Sequence, residues 1–83
     1  MTRREKLLER IRDHPHSVAP HDLWALLEAY GFELDRVSGS HHVYVGAGVT
    51  LVIPLHKPHI KAGYVRQVIA VIDRVREAER KDG

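Results

Sequence analysis

Two adjacent histidines and a tyrosine follow a glycine–serine turn near the middle of this chain, in the stretch SGSHHVYV (Ser38 to Val45). A neutral imidazole, whose ordinary pKa is about 6.5, accepts protons near neutral pH and therefore suits general base catalysis. A tyrosine ring stacks on unpaired nucleobases. A histidine and a tyrosine two positions apart on a strand are thus suited to RNA chemistry, with the histidine accepting the proton of a ribose 2′-hydroxyl.

The direction of each side chain decides whether this chemistry is available. Because side chains alternate along a strand, we expect Val43 and Val45 to complete the core, with His41 at the covered edge. His42 and Tyr44 are then expected to project from an uncovered sheet face. The nuclease hypothesis requires that orientation. The alternative is a pair of surface histidines without a role, since polar residues are the expected content of an open sheet face.

The composition indicates one small globular domain. Of the 83 residues, 43% are hydrophobic and 29% are charged, which excludes the disordered class. The absence of cysteine excludes disulfides and thiolate metal sites, and a reducing cytoplasm is the simplest context. No apolar run approaches the ~20 residues of a membrane span, and the N-terminus lacks the apolar core of a secretory signal. The net charge of +2 permits a polyanionic partner without requiring one.

Apolar spacing and turn residues predict six elements. They are helices at 3–13 and 20–30, strands at 32–37, 41–45 and 49–54, and a helix at 64–79. Gly46-Ala47-Gly48 is predicted to join the last two strands as a tight hairpin. The expected fold class is α+β, in the order α-β-β-β-α with an extra N-terminal helix. A three-stranded antiparallel sheet would carry the helices on one face.

The chain is expected to divide into three parts. Residues 1–16 form an N-terminal helical extension, residues 17–79 form the main domain, and residues 80–83 form a frayed tail. The narrow apolar stripe of the extension is typical of a helix docked on its own domain. The alternative is a surface for a partner protein.

Four motifs together resemble the HicA toxin family, whose members are small RNA-cleaving proteins (mRNA interferases) of bacterial toxin–antitoxin modules. The motifs are GFEL at 31–34, GSHHVY at 39–44, VIPLHK at 52–57 and IKAGYVRQVI at 60–69. Their order and spacing match from about Leu23 to Ile72. The specific part is the GSHH element followed by a strand that ends in P-x-H. The resemblance implies a double-stranded-RNA-binding-domain-like fold. This chain departs from the family pattern in its N-terminal extension, from Met1 to about Ala19, which the shortest family members lack.

The resemblance also implies that His42 is the catalytic residue. In the family one histidine after the Gly-Ser turn is required for RNA cleavage, and some members have Asn in place of the first. The hypothesis is cleavage of mRNA without a metal or other cofactor, with His42 as general base on the 2′-hydroxyl. The expected RNA contacts are Ser40, Tyr44, Lys57, Lys61 and Arg66. The three cations, Lys57, Lys61 and Arg66, are each explained equally well as part of a solvated surface, and Ser40 as a turn residue.

Several other interpretations are open from the residues alone. The histidines His56 and His59 are expected to be idle. A metal site that joins them to His41 and His42 is a poor hypothesis, because no carboxylate or cysteine stands at ligand spacing. A non-catalytic RNA-binding module would use the same fold, and a protein-interaction domain would place a partner on the open sheet face. The resemblance implies one such partner, a HicB-like antitoxin, which would bind that face and block His42.

Overall fold

The computed structural model describes residues 1–82 and contains three helices and three strands. The helices are α1 (Arg3–Asp13), α2 (Pro20–Ala29) and α3 (Ala62–Asp82), and the strands are β1 (Glu33–Ser38), β2 (His41–Gly46) and β3 (Val49–Pro54). The predicted α+β class and element order are therefore confirmed. The last helix is longer than expected, because it begins before Tyr64 and continues past Glu79 through Asp82. Gly83, part of the expected frayed tail, lies outside the described residues.

Helix α1 is packed on the rest of the domain. Thr2 and Glu5 form a reciprocal capping box at its start, which satisfies backbone N–H groups that would otherwise lack partners. Leu8 and Ile11 are buried in the same core cluster as residues of α2, α3 and the sheet. The buried face of α1 is thus covered by its own chain, as the docked-helix interpretation expected.

Two ion pairs join α1 to α3. Arg12 donates two hydrogen bonds to the Asp73 carboxylate, at 2.7 and 3.0 Å. Arg4 donates one to Glu79, at 3.1 Å. The first pair is bidentate, which fixes the guanidinium and carboxylate planes relative to each other and therefore the register of the two helices.

The three strands form one antiparallel sheet in the order β1-β2-β3. A two-residue turn, Ala47-Gly48, joins β2 to β3, and both residues have positive φ, 49° and 74°. This conformation suits a hairpin because its twist matches that of the strands. Gly46 precedes the turn and lies against Phe32, where a Cβ atom would stand 2.8 Å from the ring.

The hairpin turn fixes which residues face each other across the sheet. Its register pairs Tyr44 with Leu51 and His42 with Ile53, and Val43 with Val52. Tyr44, Leu51 and Ile53 belong to the core cluster that the helices cover. Val43 is 4% exposed but lies outside that cluster, and its neighbour Val52 is 45% exposed. The helices therefore cover the face that carries His42 and Tyr44.

The expected orientation of the β2 side chains is accordingly wrong. Val43 lies on the face away from the helices, and Tyr44 lies beneath them at 2% exposure. The physical reason is that Leu51 and Ile53 bury the larger apolar area, and antiparallel pairing carries their partners to the same side. No helix within residues 1–82 has the length and apolar character needed to cross a membrane.

A groove beside His42 as the candidate functional site

The His42 side chain lies at the margin of the helix-covered face. Its residue is half-buried, whereas its neighbour His41 is exposed on the opposite face. His42 is therefore neither on bare sheet, as expected, nor enclosed in the core. It is the first residue of β2 on that face, at the end of the strand, and the helices do not fully cover it.

The indole of Trp24 in α2 packs against the His42 ring. The ring centroids are 4.7 Å apart, and the planes differ by 15°. The same indole stacks on Tyr44, at 5.2 Å and 20°. These are the distances of offset-stacked aromatic pairs. Three aromatic rings from one helix and one strand thus form a stack, in which Tyr44 is buried and Trp24 and His42 are half-exposed.

The backbone around Ser40 orients the imidazole. The His42 Nδ1 atom lies 3.4 Å from the carbonyl oxygen of Ser40, a long contact. A carbonyl oxygen only accepts hydrogen bonds, so this contact favours the tautomer with the proton on Nδ1. The lone pair is then on Nε2. The same carbonyl accepts a 2.6 Å hydrogen bond from the Leu55 backbone N–H, which ties the turn before β2 to the end of β3.

A surface groove of about 670 Å³ opens beside the stacked rings. We call it the Trp24 groove. It is lined by residues of the α2 start, of β2 and of the loop after β3, namely Ala19, Pro20, His21, Trp24, His42, Leu55, Lys57 and Pro58. Most of this lining is apolar. Among the described residues no carboxylate lines the groove, and its ionisable lining residues are Lys57 and two histidines. The Asp22 carboxylate lies just outside, 3.4 Å from the Nε2 atom of His21.

The loop from Leu55 to Lys61 is held by two short contacts. The His56 Nδ1 atom lies 2.9 Å from the carbonyl oxygen of His59, and the Ile60 backbone N–H donates a 2.9 Å hydrogen bond to the Val18 carbonyl. Ile60 is buried in the core. The Lys57 side chain therefore projects from a loop that is anchored on both sides. His56 thus has a structural contact within the loop, and the expectation that it plays no part in RNA binding stays a prediction.

Lys61 and Arg66 lie beside a second groove, which meets the Trp24 groove at Pro58. This second groove has a volume of about 320 Å³ and is lined by His16, His56, Pro58, His59, Ile60, Lys61 and Ala62. Arg66 donates a 3.3 Å hydrogen bond to the Nε2 atom of His16. Lys57 therefore lines the Trp24 groove and Lys61 lines the second groove, whereas Arg66 lines neither and reaches the second groove only through His16.

Tyr44 does not fit its predicted role as an RNA contact. Its ring is 2% exposed and stacked on Trp24, so neither face is free to hold a base. Burial raises the pKa of its phenol above the ordinary value, and the charge of Glu28 raises it further. Tyr44 therefore serves the packing of the aromatic stack. Ser40, another predicted contact, is exposed in the turn and meets His42 through its carbonyl rather than its hydroxyl.

The structure adds residues that the sequence-based site did not include. Trp24, the chain's one tryptophan, is half-buried, and it both packs against the core cluster and borders the groove. Pro20 and His21 reach the groove because α2 begins there. One sequence signal could have identified the groove. It is a tryptophan one turn after the start of a helix, combined with a P-x-H segment at the end of the last strand. Within residues 1–82, no three histidine or carboxylate side chains approach closely enough to hold a metal ion.

The fold defines a small α+β domain in which helices cover one face of a three-stranded antiparallel sheet. A family model described as HicA toxin of bacterial toxin-antitoxin matches residues 20–73, more than half of the chain. The chain therefore belongs to the HicA toxin family. The match begins at Pro20, the first residue of α2, so α1 lies outside it. No curated protein and no solved structure gives a significant match.

Proposed function

We propose that this toxin is an endoribonuclease that cleaves mRNA without a metal ion, with His42 as the general base. The Nε2 atom of His42 accepts the proton of a ribose 2′-hydroxyl. The 2′-oxygen then attacks the adjacent phosphorus, and the 5′-oxygen leaves and takes up a proton from solvent. The products are one fragment with a 2′,3′-cyclic phosphate end and one with a free 5′-hydroxyl. A single positioned base accelerates such a step roughly 10²–10⁴-fold.

The half-exposed position of His42 beside the Trp24 groove is the observation that carries this proposal. A general base has to reach its substrate, and His42 borders a groove large enough to admit a nucleotide. The Ser40 carbonyl favours the tautomer in which Nε2 carries the lone pair. The sequence-based hypothesis required His42 on the uncovered sheet face, and that requirement is not met. The proposal now depends on access to the ring, which its half-buried position at the groove provides. The support comes instead from this geometry and from the family match, which includes the Gly-Ser-His-His segment.

The charge around the two grooves supports RNA as the substrate. Lys57 and Lys61 are exposed on the loop between β3 and α3, and Arg66 is exposed in the first turns of α3. Cations of this kind bind phosphates and supply affinity that does not depend on sequence. Ser40, exposed next to His42, is a further candidate for a phosphate contact. These four residues would hold the backbone of an RNA strand that runs from His42 across Pro58.

We also propose that a HicB-like antitoxin inhibits the toxin by covering this groove. A partner on the uncovered sheet face, as first expected, would leave the His42 side chain accessible, because that residue lies on the other face. Blocking of His42 requires contact with α2 and with the loop after β3. Mapping of the antitoxin contact by hydrogen exchange would show protection there.

The experiment that tests the activity is incubation of the purified chain with a long RNA in excess chelator. We expect fragments that end in a 2′,3′-cyclic phosphate, and no cleavage of the same RNA carrying 2′-O-methyl groups. If the RNA stays intact while the protein still binds it, the chain is a non-catalytic RNA-binding module. If cleavage requires a divalent metal ion, the general base mechanism is wrong.

A further inference from the structure

We infer that the Trp24 groove is a subsite for one unpaired nucleobase of the RNA, next to the phosphate at which His42 acts. This inference rests on the proposed function and extends it, because it names the form of RNA that the site accepts. A base that enters the groove cannot remain in a duplex. The site is therefore specific for single-stranded RNA, although the fold is of the double-stranded-RNA-binding type.

The lining of the groove has the chemistry of a base-binding site. Trp24, Pro20, Leu55 and Pro58 present apolar surface around the His42 ring. A phosphate gains nothing from apolar walls, whereas a nucleobase has two flat faces that stack on aromatic and aliphatic side chains. Stacking of this kind tolerates every base, so it suits an enzyme that acts on many messages.

The charges at the groove place the rest of the nucleotide. Lys57 is exposed at the rim, and no carboxylate is among the described lining residues. The Asp22 carboxylate outside the lining lies within 3.5 Å of both Arg10 and His21. A base held on the apolar walls would leave its phosphate near Lys57 and its ribose near His42. An uncharged peptide would form no ion pair with Lys57, whereas the phosphate of a nucleotide would. A nucleotide therefore fits the groove better than an apolar protein segment does.

The size of the groove argues for a single strand. Its volume of about 670 Å³ lies within the range of ordinary small-ligand sites. Residues from α2 bound one side and the loop after β3 bounds the other, so a continuous base-paired helix cannot enter. A paired base reaches such a site only after it leaves the stack, which slows cleavage of a duplex.

The test uses binding rather than cleavage, so that its outcome does not depend on activity. Short 2′-O-methyl RNA of random sequence is compared with an abasic chain of the same length, which keeps the phosphates and lacks the bases. We expect the parent protein to bind the base-bearing RNA roughly tenfold more tightly. Quenching of tryptophan fluorescence is expected with the base-bearing RNA alone, and Trp24 is the chain's one tryptophan.

A matched pair of variants localises the effect. Leu55→Gln places a polar amide in the groove wall, whereas Leu34→Gln changes an exposed leucine of β1 outside the groove. We expect the preference for base-bearing over abasic RNA to fall several-fold in Leu55→Gln and to persist in Leu34→Gln. Circular dichroism of both variants shows that the fold is retained.

Three results would overturn the inference. They are equal affinity of the parent for the base-bearing and abasic chains, an unchanged preference in Leu55→Gln, and cleavage of a duplex as fast as of its single strand. Failure of the proposed function looks different, since the parent would then prefer base-bearing RNA but leave unmodified RNA uncut. Equal affinity of the parent protein for base-bearing and abasic RNA would instead favour the groove as the binding site for a segment of the antitoxin.

Discussion

The indole of Trp24 and the imidazole of His42 are stacked, with their centroids 4.7 Å apart and their planes within 15°. The two residues come from α2 and β2, and their contact joins the helical layer to the sheet at the site. The stacked indole and the 3.4 Å contact with the Ser40 carbonyl both favour the observed orientation of the ring. Under the proposed function, this stack helps to give His42 the fixed orientation that a general base requires.

The first prediction concerns this positioning role of Trp24. Trp24→Phe keeps an aromatic face against His42, and we expect it to cleave RNA at close to the parent rate. Trp24→Leu keeps apolar volume but removes the flat ring, so we expect the rate at saturating RNA to fall about 10- to 100-fold. Single-turnover kinetics measure this rate apart from binding. Equal rates for the parent and the leucine variant would show that stacking does not position the imidazole.

The overall fold was predictable from the sequence, because its elements depend on local signals. Pro20 and Gly31 bound α2, and glycine with positive φ marks the hairpin. The helix Arg3–Asp13 was predicted with its observed bounds, since its apolar stripe and the following His14-Pro15 leave little choice. The β-bulge in β1, between Leu34 and Arg36, has no comparable local signal.

The face of β2 was predicted wrongly, because one strand was considered without its partner. The strand carries His42 and Tyr44 on one side and two valines on the other, and the valines are the more hydrophobic pair. The two-residue turn pairs Tyr44 with Leu51, however, and the leucine belongs in the core. The two-residue length of the turn and the apolar pattern of β3 together predict which face of β2 the helices cover. The Trp24 stack then makes burial of the tyrosine favourable.

The second prediction concerns phosphate binding by Lys57. Lys57→Ala removes a cation at the rim of the Trp24 groove, so we expect weaker binding of all RNA sequences alike. We also expect the slope of log affinity against log salt concentration to fall by about 1. The control is Lys81→Ala, because α3 separates Lys81 from the grooves by ~30 Å of helix. Filter binding at several salt concentrations gives both slopes. Equal slopes for the two variants would contradict the assignment.

The third prediction concerns acid stability. The hydrogen bonds from Arg12 lower the pKa of the Asp73 carboxyl below its usual value of about 3.9, against the opposing effect of partial burial. A carboxyl whose pKa is lower in the folded state stabilises the fold above its unfolded pKa. That stabilisation is lost as the pH falls through the folded pKa.

Asp73→Asn is therefore expected to unfold more easily than the parent at pH 7. The expected difference in free energy of unfolding is about 1 kcal/mol at most, because both side chains are partly exposed. It should shrink to nothing well below pH 3.9. The control is Asp35→Asn, since that carboxylate is similarly exposed (44% against 42%) but pairs with its chain neighbour Arg36. Thermal unfolding of both variants across this pH range checks the prediction. A difference that persists at low pH would contradict it.

The fourth prediction concerns Gly46 and the β2–β3 hairpin. In Gly46→Ala the new Cβ atom would lie 2.8 Å from the Phe32 ring and 3.0 Å from its Cα atom. We expect a loss of about 1–3 kcal/mol in the free energy of unfolding, because Gly46 is fixed by strand pairing and Phe32 is fixed by burial in the core. Gly63→Ala is the control, since a Cβ there meets nothing within 4 Å. Urea unfolding measures both, and equal stability of the two variants would refute the close contact.

The fifth prediction, and the most direct test of the proposed activity, compares two adjacent histidines. His42→Ala removes the imidazole stacked on Trp24, whereas His41→Ala removes one that is exposed on the opposite face of the sheet. The measurement is the rate of cleavage of a long RNA by each purified, folded variant in excess chelator. We predict that His41→Ala cleaves at the parent rate and that His42→Ala is slower by at least ~100-fold. Cleavage by His42→Ala at the parent rate would contradict the assignment of His42 as the general base.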